Sequence, residues 1–333
     1  MPPTPTDTVE PSAGAVAAPR TGTSALAARE RRLAEAGVLL VVICWAANFV
    51  VVKAALGDLP PLVFTSLRYV VAAATVLGLL RVREGNVGLP RRDLLIIAAL
   101  GVLGFGVYQL LWTVGLTQIN AGDSALLIAT TPVLVALIAA MVGTDTLTPP
   151  KLAGALVSFA GVALVVGAGQ DFTLGASMAG DAVTLCAAVA WAIYTALAAR
   201  ALRRADPLRM TAWAVTGGML FLLPLGAWQA ATTPGLTIEP RHVLAMLYSG
   251  ILAAGLANVL ILRGVKILGP TRVTVLQYGV SPLAVILGAL FLGETIRPAQ
   301  IFGGVVIVLG VVITRARRGG GSFRLQRRRT VAI

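Results

Sequence analysis

Apolar residues run along this chain in blocks of about twenty, separated by short polar connections. Ten such blocks are visible, at 36–56, 61–80, 94–116, 122–142, 151–169, 179–199, 210–229, 243–262, 269–292 and 298–315, with ends good to about 2–4 residues. A helix needs roughly 20 apolar residues to cross the hydrocarbon core of a bilayer, and lipid tolerates no unpaired backbone groups. The pattern therefore predicts an all-α polytopic membrane protein with ten transmembrane helices. Because most connections are short, neighbours in sequence should be antiparallel neighbours in space.

Composition agrees. The 333 residues are 57% hydrophobic and 12% charged, against about 25% charged in a soluble domain. Residues 1–35 are rich in Pro, Thr and Ala and lack the apolar core of a secretory signal, which predicts a disordered cytoplasmic tail. Residues 316–333 form a second, basic tail.

The net charge of +13 is informative through its distribution. With the N-terminus inside, the inner connections hold Arg81, Arg83, Arg91, Arg92, Lys151, Arg200, Arg203, Arg204, Arg209, Arg263, Lys266 and Arg272; the outer ones hold only Arg241 and Arg297. This asymmetry places both termini in the cytoplasm. The basic tails then fit anionic lipid, with no nucleic-acid partner implied.

The two halves of the chain repeat one another. "WAANFVVVKA" from Trp45 returns as "WAIYTALAAR" from Trp191, and "TDTLTPPKLAGALVSFAGV" from Thr144 returns as "GETIRPAQIFGGVVIVLGV" from Gly293. One offset of 149 sets Asp145 on Glu294, Pro149 on Pro298, Gly154 on Gly303 and Gly161 on Gly310. Each long copy follows a helix holding a hydroxyl residue and a proline, Thr131–Pro132 and Ser281–Pro282. Five helices per copy is an odd number, so the second copy enters the membrane inverted: residues 36–169 and 179–315 form two inverted five-helix repeats.

These motifs carry a resemblance. The "WA" followed by a polar residue, the Thr-Pro and Ser-Pro helices, "LGET" at Leu292–Thr295 and the glycines beyond it resemble the EamA-like branch of the drug/metabolite transporter superfamily. So does "GVKILGPTRVTVLQYGVSPLAVILGALFLGE" from Gly264 to Glu294; in the first copy "LGE" has become "GTD". The resemblance implies a ten-helix bundle of two inverted repeats that most often exports amino acids or other small metabolites from a bacterial cell.

Depth selects candidate site residues. At 1.5 Å per residue Trp45 and Asn48 lie about 13–18 Å into the first span, and Trp191 and Tyr194 roughly 18–23 Å into the sixth. Each pair is three residues apart, so it shares a helical face, and the two faces should meet near the midplane, either lining a substrate cavity or packing as interhelical glue. Tyr108 and Trp112 share a face of the third span, Trp112 alternatively belonging to an outer aromatic belt. Gln277 and Tyr278 reach a similar depth. Pro132 and Pro282 each remove a helix hydrogen bond near mid-membrane, freeing the carbonyls of Ile128 and Tyr278 for a kink or for bonding. Lys53 and Arg200 lie near helix ends, where they can snorkel.

Arg68 is the basic residue furthest inside a helix, about 10 Å from the outer end of the second span. An unpaired guanidinium there costs about 2–3 kcal/mol, so it calls for a partner. Asp123 is the first candidate and Glu294 the second; structural pairing and an anion-facing role both fit. Asp123 is also the carboxylate best placed for proton antiport, with facilitated movement as the alternative.

Little else suggests chemistry. His242 stands alone, Cys44 and Cys186 fall inside helices, no nucleotide-binding loop occurs, and "GVLGFG" at Gly101–Gly106 fits a packing surface better than a dinucleotide fingerprint. No cofactor or metal is expected. The sequence thus predicts a secondary transporter of the bacterial cytoplasmic membrane moving a small amphipathic metabolite, most simply outward, by alternating access. The competing readings are a lipid-modifying membrane enzyme, which would need a polar cluster at one membrane face, and a non-transporting scaffold.

Overall fold

The computed structural model describes residues 21–143, 146–167, 176–201, 206–268 and 270–315. Within them the chain forms ten helical spans and no strand. In chain order these are α1 (Thr21–Ala55), α2 (Pro61–Glu84), α3 (Arg91–Gln118), α4 (Ala121–Met141), α5 (Pro149–Gly167), α6 (Ala176–Ala201), α7 (Pro207–Thr232), α8 (Pro240–Leu268), α9 (Pro270–Gln277 continuing as Val280–Leu292) and α10 (Pro298–Arg315). Nine are long and apolar enough to cross a membrane, and Pro298–Thr314 is a shorter apolar helix. The chain is a polytopic membrane protein.

The starts follow a simple rule. Pro stands at the first helical position of α2, α5, α7, α8, α9 and α10, where its missing N–H is one the helix could not have used. The main departure from the sequence pattern is α1, which begins at Thr21, well before the apolar run. Residues 21–35 were expected as disordered tail, yet "TGTSALAARERRLAE" is dominated by strong helix formers with no Pro to break it. Residues 1–20 and 316–333 lie outside the described residues, as does Asp145, the first-repeat counterpart of Glu294.

The packing shows the inversion directly. α5 and α10 cross through glycines: a Cβ added at Gly154 would lie 2.4 Å from the Gly310 carbonyl oxygen, and one at Gly161 2.7 Å from that of Gly303. Between these two contacts the Ser158 hydroxyl donates to the Ile307 carbonyl at 3.0 Å. As one helix ascends the other descends, so the pair is antiparallel. Under the sequence offset Gly154 corresponds to Gly303, Gly161 to Gly310 and Ser158 to Ile307. Exchanging the repeats maps these contacts onto one another, and a pseudo-two-fold axis passes close to the Ser158–Ile307 bond.

The same exchange organises the remaining pairs. α2 packs on α7, α4 on α9, α1 on α8 as α3 on α6, and α1 on α9 as α6 on α4. Orphan N–H groups at helix starts, costly in lipid, are met across these contacts. The Gln229 side-chain oxygen accepts from Leu62 N at 2.7 Å, and Glu294 accepts from Ala121 N at 2.7 Å and Gly122 N at 3.1 Å. Gly288 must lack a side chain to admit that carboxylate, since a Cβ there would lie 2.5 Å from Glu294 Oε2. Arg209 pairs with Glu84 where α7 meets α2. That end of the bundle, which also carries Arg81, Arg83, Arg91 and Arg92, is called the basic end below.

Candidate functional site

Two helices widen at equivalent places. α3 contains a π-helical segment, Val102–Val107, and α8 another, Tyr248–Leu256; the repeat offset superposes them. Such segments leave the regular i→i−4 ladder and recur at functional sites. Nothing in the apolar pattern announces them beyond their glycines, Gly104 and Gly106 in one and Gly250 and Gly255 in the other.

Trp45 and Trp191 each seat on the widened segment of the opposite repeat. Trp45 on α1 donates its indole N–H to the Ala253 carbonyl of α8 at 2.9 Å. Trp191 on α6 meets Phe105 of α3 edge-on, with centroids 5.6 Å apart, and lies 5.0 Å from Tyr108 and 5.2 Å from Tyr194. Tyr194 in turn packs on Phe105 at 5.3 Å and over Gly104, where a Cβ would collide with its ring at 2.3 Å. The two polar-aromatic faces are thus joined through α3 and α8, not by a direct stack. Trp45, Asn48, Tyr108, Gln109 and Trp191 keep partial exposure although they sit deep among helices, while Phe105 and Arg68 are buried.

Arg68 links the two faces. Only 2% exposed, its Nη1 donates to the Ser249 hydroxyl at 2.8 Å, and that hydroxyl donates onward to Asn48 Oδ1 at 2.6 Å. Nη2 bonds the side-chain oxygen of Gln109. The rings of Phe64, Tyr69 and Trp112 surround the guanidinium, with centroids 5.7, 5.3 and 5.3 Å away.

Both expected acidic partners are elsewhere. Asp123 accepts from Gln300 Nε2 at 2.6 Å and lines a polar recess with Gln118, Asn120, Asp181 and Arg297, at the end of the bundle away from the basic one. Glu294 is committed to the start of α4. The reason is distance: Asp123 occupies the first turn of α4, whereas Arg68 points among α3 and α8. Ser249 and Gln109 hold it instead. A search for charged partners passes over both.

Several other expectations change. Trp112 is 3% exposed, meets Phe49 edge-on at 5.4 Å and donates to Ser124 Oγ at 3.2 Å, so it is an interior residue and not part of an outer belt. Tyr278 packs against the buried cluster that includes Leu126, Leu127 and Ile307, on the α4–α10 side of the bundle and away from the Trp191 cluster. Gln277 ends the first half of α9, and no contact places it beside Arg68 or Trp191. α4 breaks after Ile128 and α9 after Gln277, and the freed Ile128 carbonyl takes the Thr131 hydroxyl at 2.6 Å, while Ser281 donates to Ala125 O at 2.8 Å. Lys53 donates to the Leu116 carbonyl at 2.8 Å, capping the end of α3. His242 belongs to the capping box that starts α8.

The sequence profile of the EamA-like transporter family matches residues 32–167 and again 178–316, once per repeat. The chain belongs to the EamA-like transporter family. Among relatives of this family member, a probable terminal-alkyne amino-acid exporter of Streptantibioticus cattleyicolor is 30% identical, over 85% of this chain and 93% of its own. An uncharacterized transporter of Archaeoglobus fulgidus is 28% identical over 84% of this chain and 96% of its own. A probable amino-acid metabolite efflux pump of Salmonella typhimurium is 26% identical over 83% and 92%. A solved crystal structure shares the fold, with a TM-score of 0.62 at 21% identity, covering 84% of this chain and 97% of that one. This EamA-like protein is therefore a membrane transporter by family, and Trp45, Asn48, Arg68, Tyr108 and Trp191 are its candidate site residues.

Proposed function

We propose that the chain is a secondary transporter that carries a small amphipathic metabolite, of amino-acid type, out of the cell across the bacterial cytoplasmic membrane by alternating access. The observation that supports this best is the exchange at the centre: each repeat's tryptophan rests on the π segment of the other repeat's third helix. Any rocking of one repeat against the other then changes both walls of the site together, which is what alternating access between inverted repeats requires. The breaks in α4 and α9 give each repeat a flexing point at an equivalent place. The names of the Streptantibioticus and Salmonella relatives, an exporter and an efflux pump, agree with outward movement of an amino-acid-like solute.

In this reading the basic end faces the cytoplasm with both termini, the basic tails lie against anionic lipid, and Asp123 is the carboxylate available for proton coupling. Cysteines placed at Asp145 and Glu294, in a background lacking Cys44 and Cys186, should react with an impermeant thiol reagent from opposite sides, Glu294 from outside. Reaction of position 294 from the cytoplasmic side alone would reverse the assignment. Function itself is tested with purified protein in liposomes, screened with labelled amino acids, nucleosides and sugars, with and without an imposed proton gradient. Saturable flux above that of empty liposomes is expected. Flux indistinguishable from empty liposomes across the panel would overturn the proposal.

A further inference from the structure

Arg68 is a full positive charge, and among the described residues no acidic side chain pairs with it. A guanidinium stays protonated under any physiological condition, and a buried ion without an opposite charge is strongly disfavoured. Its hydrogen-bond partners, Ser249 and Gln109, are neutral, and the three rings around it disperse charge without cancelling it. The Nε–H is buried and has no acceptor. The acids that could have served are bound to Gln300 and to the start of α4. The ion pairs of Arg209 and Arg241 sit at helix ends. One unit of positive charge and one unused donor therefore lie inside the bundle with only neutral hydrogen-bond partners around them.

Resting on the transport reading above, we infer that Arg68 reads the carboxylate of the transported solute, which lays its apolar or aromatic body against Tyr108 and Trp191. The planar fork of a guanidinium matches the two oxygens of a carboxylate. A single cation flanked by neutral donors and acceptors balances a monoanion and leaves a phosphate dianion half compensated. Asn48 takes the Ser249 proton on its oxygen, which leaves its amide nitrogen to serve as a second donor. The wall beside it is aromatic, with Trp191 ringed by Phe105, Tyr108 and Tyr194. Arg68 has no basic counterpart in α7, where Thr211 to Phe221 contains no charged residue. The recognition is thus one-sided although the fold is two-fold.

The test uses three probes that share a phenyl body: 3-phenylpropionate, L-phenylalanine and 2-phenylethylamine. Binding to the purified full-length protein is followed by tryptophan fluorescence and by thermal shift. The two carboxylates should bind, and the amine should bind roughly thirtyfold more weakly or not at all, because a buried charge pair is missing. Arg68→Gln should bring the three probes level, and Arg68→Lys should restore part of the preference. The wild-type comparison stands even if a variant fails to fold. Equal or tighter binding of the amine, or no binding of either carboxylate, overturns the inference. Parallel flux measurements separate it from the transport reading. Flux of uncharged solutes with no carboxylate preference removes the role of Arg68 alone, whereas carboxylate binding without flux of any solute removes transport alone.

Discussion

The α5–α10 crossing and the α1–α8/α3–α6 region join the same two repeats in opposite ways. At the crossing, glycines bring backbones so close that a single added Cβ would meet a carbonyl oxygen at 2.4 to 2.8 Å, and both partners obey the two-fold exchange. In the central region the helices are widened by π segments, aromatic rings join the glycine contacts, as Tyr194 does over Gly104, and the polar groups are unequal: Asn48 on α1 answers to Tyr194 on α6, and Arg68 to nothing basic on α7. Symmetry is kept where the repeats are held together and lost where a solute would be recognised. A duplicated fold can lock its halves with one set of positions and diverge at another because the two sets share no contacts.

Breaking the crossing should have the largest effect. Gly161→Val forces its side chain into the Gly303 carbonyl and Ile307, and overpacking of this kind costs about 3 kcal/mol or more. The unfolding midpoint in detergent should fall sharply, with loss of folded protein in the membrane. Glu294→Gln should cost less, about 1–2 kcal/mol, by weakening charge-assisted bonds to Ala121 N and Gly122 N; the same melting measurement checks it. Ser158→Ala removes one interhelical bond at the pseudo-axis and should cost about 0.6 kcal/mol. Gly78→Ala, where an added Cβ meets nothing within 4 Å, should leave the midpoint unchanged or slightly raised. It serves as the control that separates glycine as a contact surface from glycine as mere composition.

Much of the bundle was legible because lipid imposes length and apolarity on every span, and because the glycines of the crossing survive in both copies. The central aromatic cluster was legible for a related reason, since Trp45 and Trp191 occur where an interfacial residue should not. What escaped was local. The partners of Arg68 are neutral, so a rule that pairs charge with charge led to Asp123 and overlooked Gln109, the residue next to Tyr108. Tyr278 matched by depth alone, and depth says nothing about which side of a helix a residue occupies when the helix is broken at that very point. The extension of α1 to Thr21 escaped because apolarity, the signal used to find spans, ends before helical propensity does.

The central claim is that Trp191 and Asn48 border a path for solute and do not chiefly hold the repeats together. Trp191→Ala and Asn48→Ala, each reconstituted in liposomes at equal folded protein and each melted in detergent, separate the two roles directly. The account predicts that flux of the wild-type substrate is lost or severely reduced while the unfolding midpoint stays close to wild type, because both residues keep partial exposure. Losing a tightly packed indole would instead cost about 3–5 kcal/mol. Earlier unfolding of both variants, with wild-type flux per folded molecule, would contradict it.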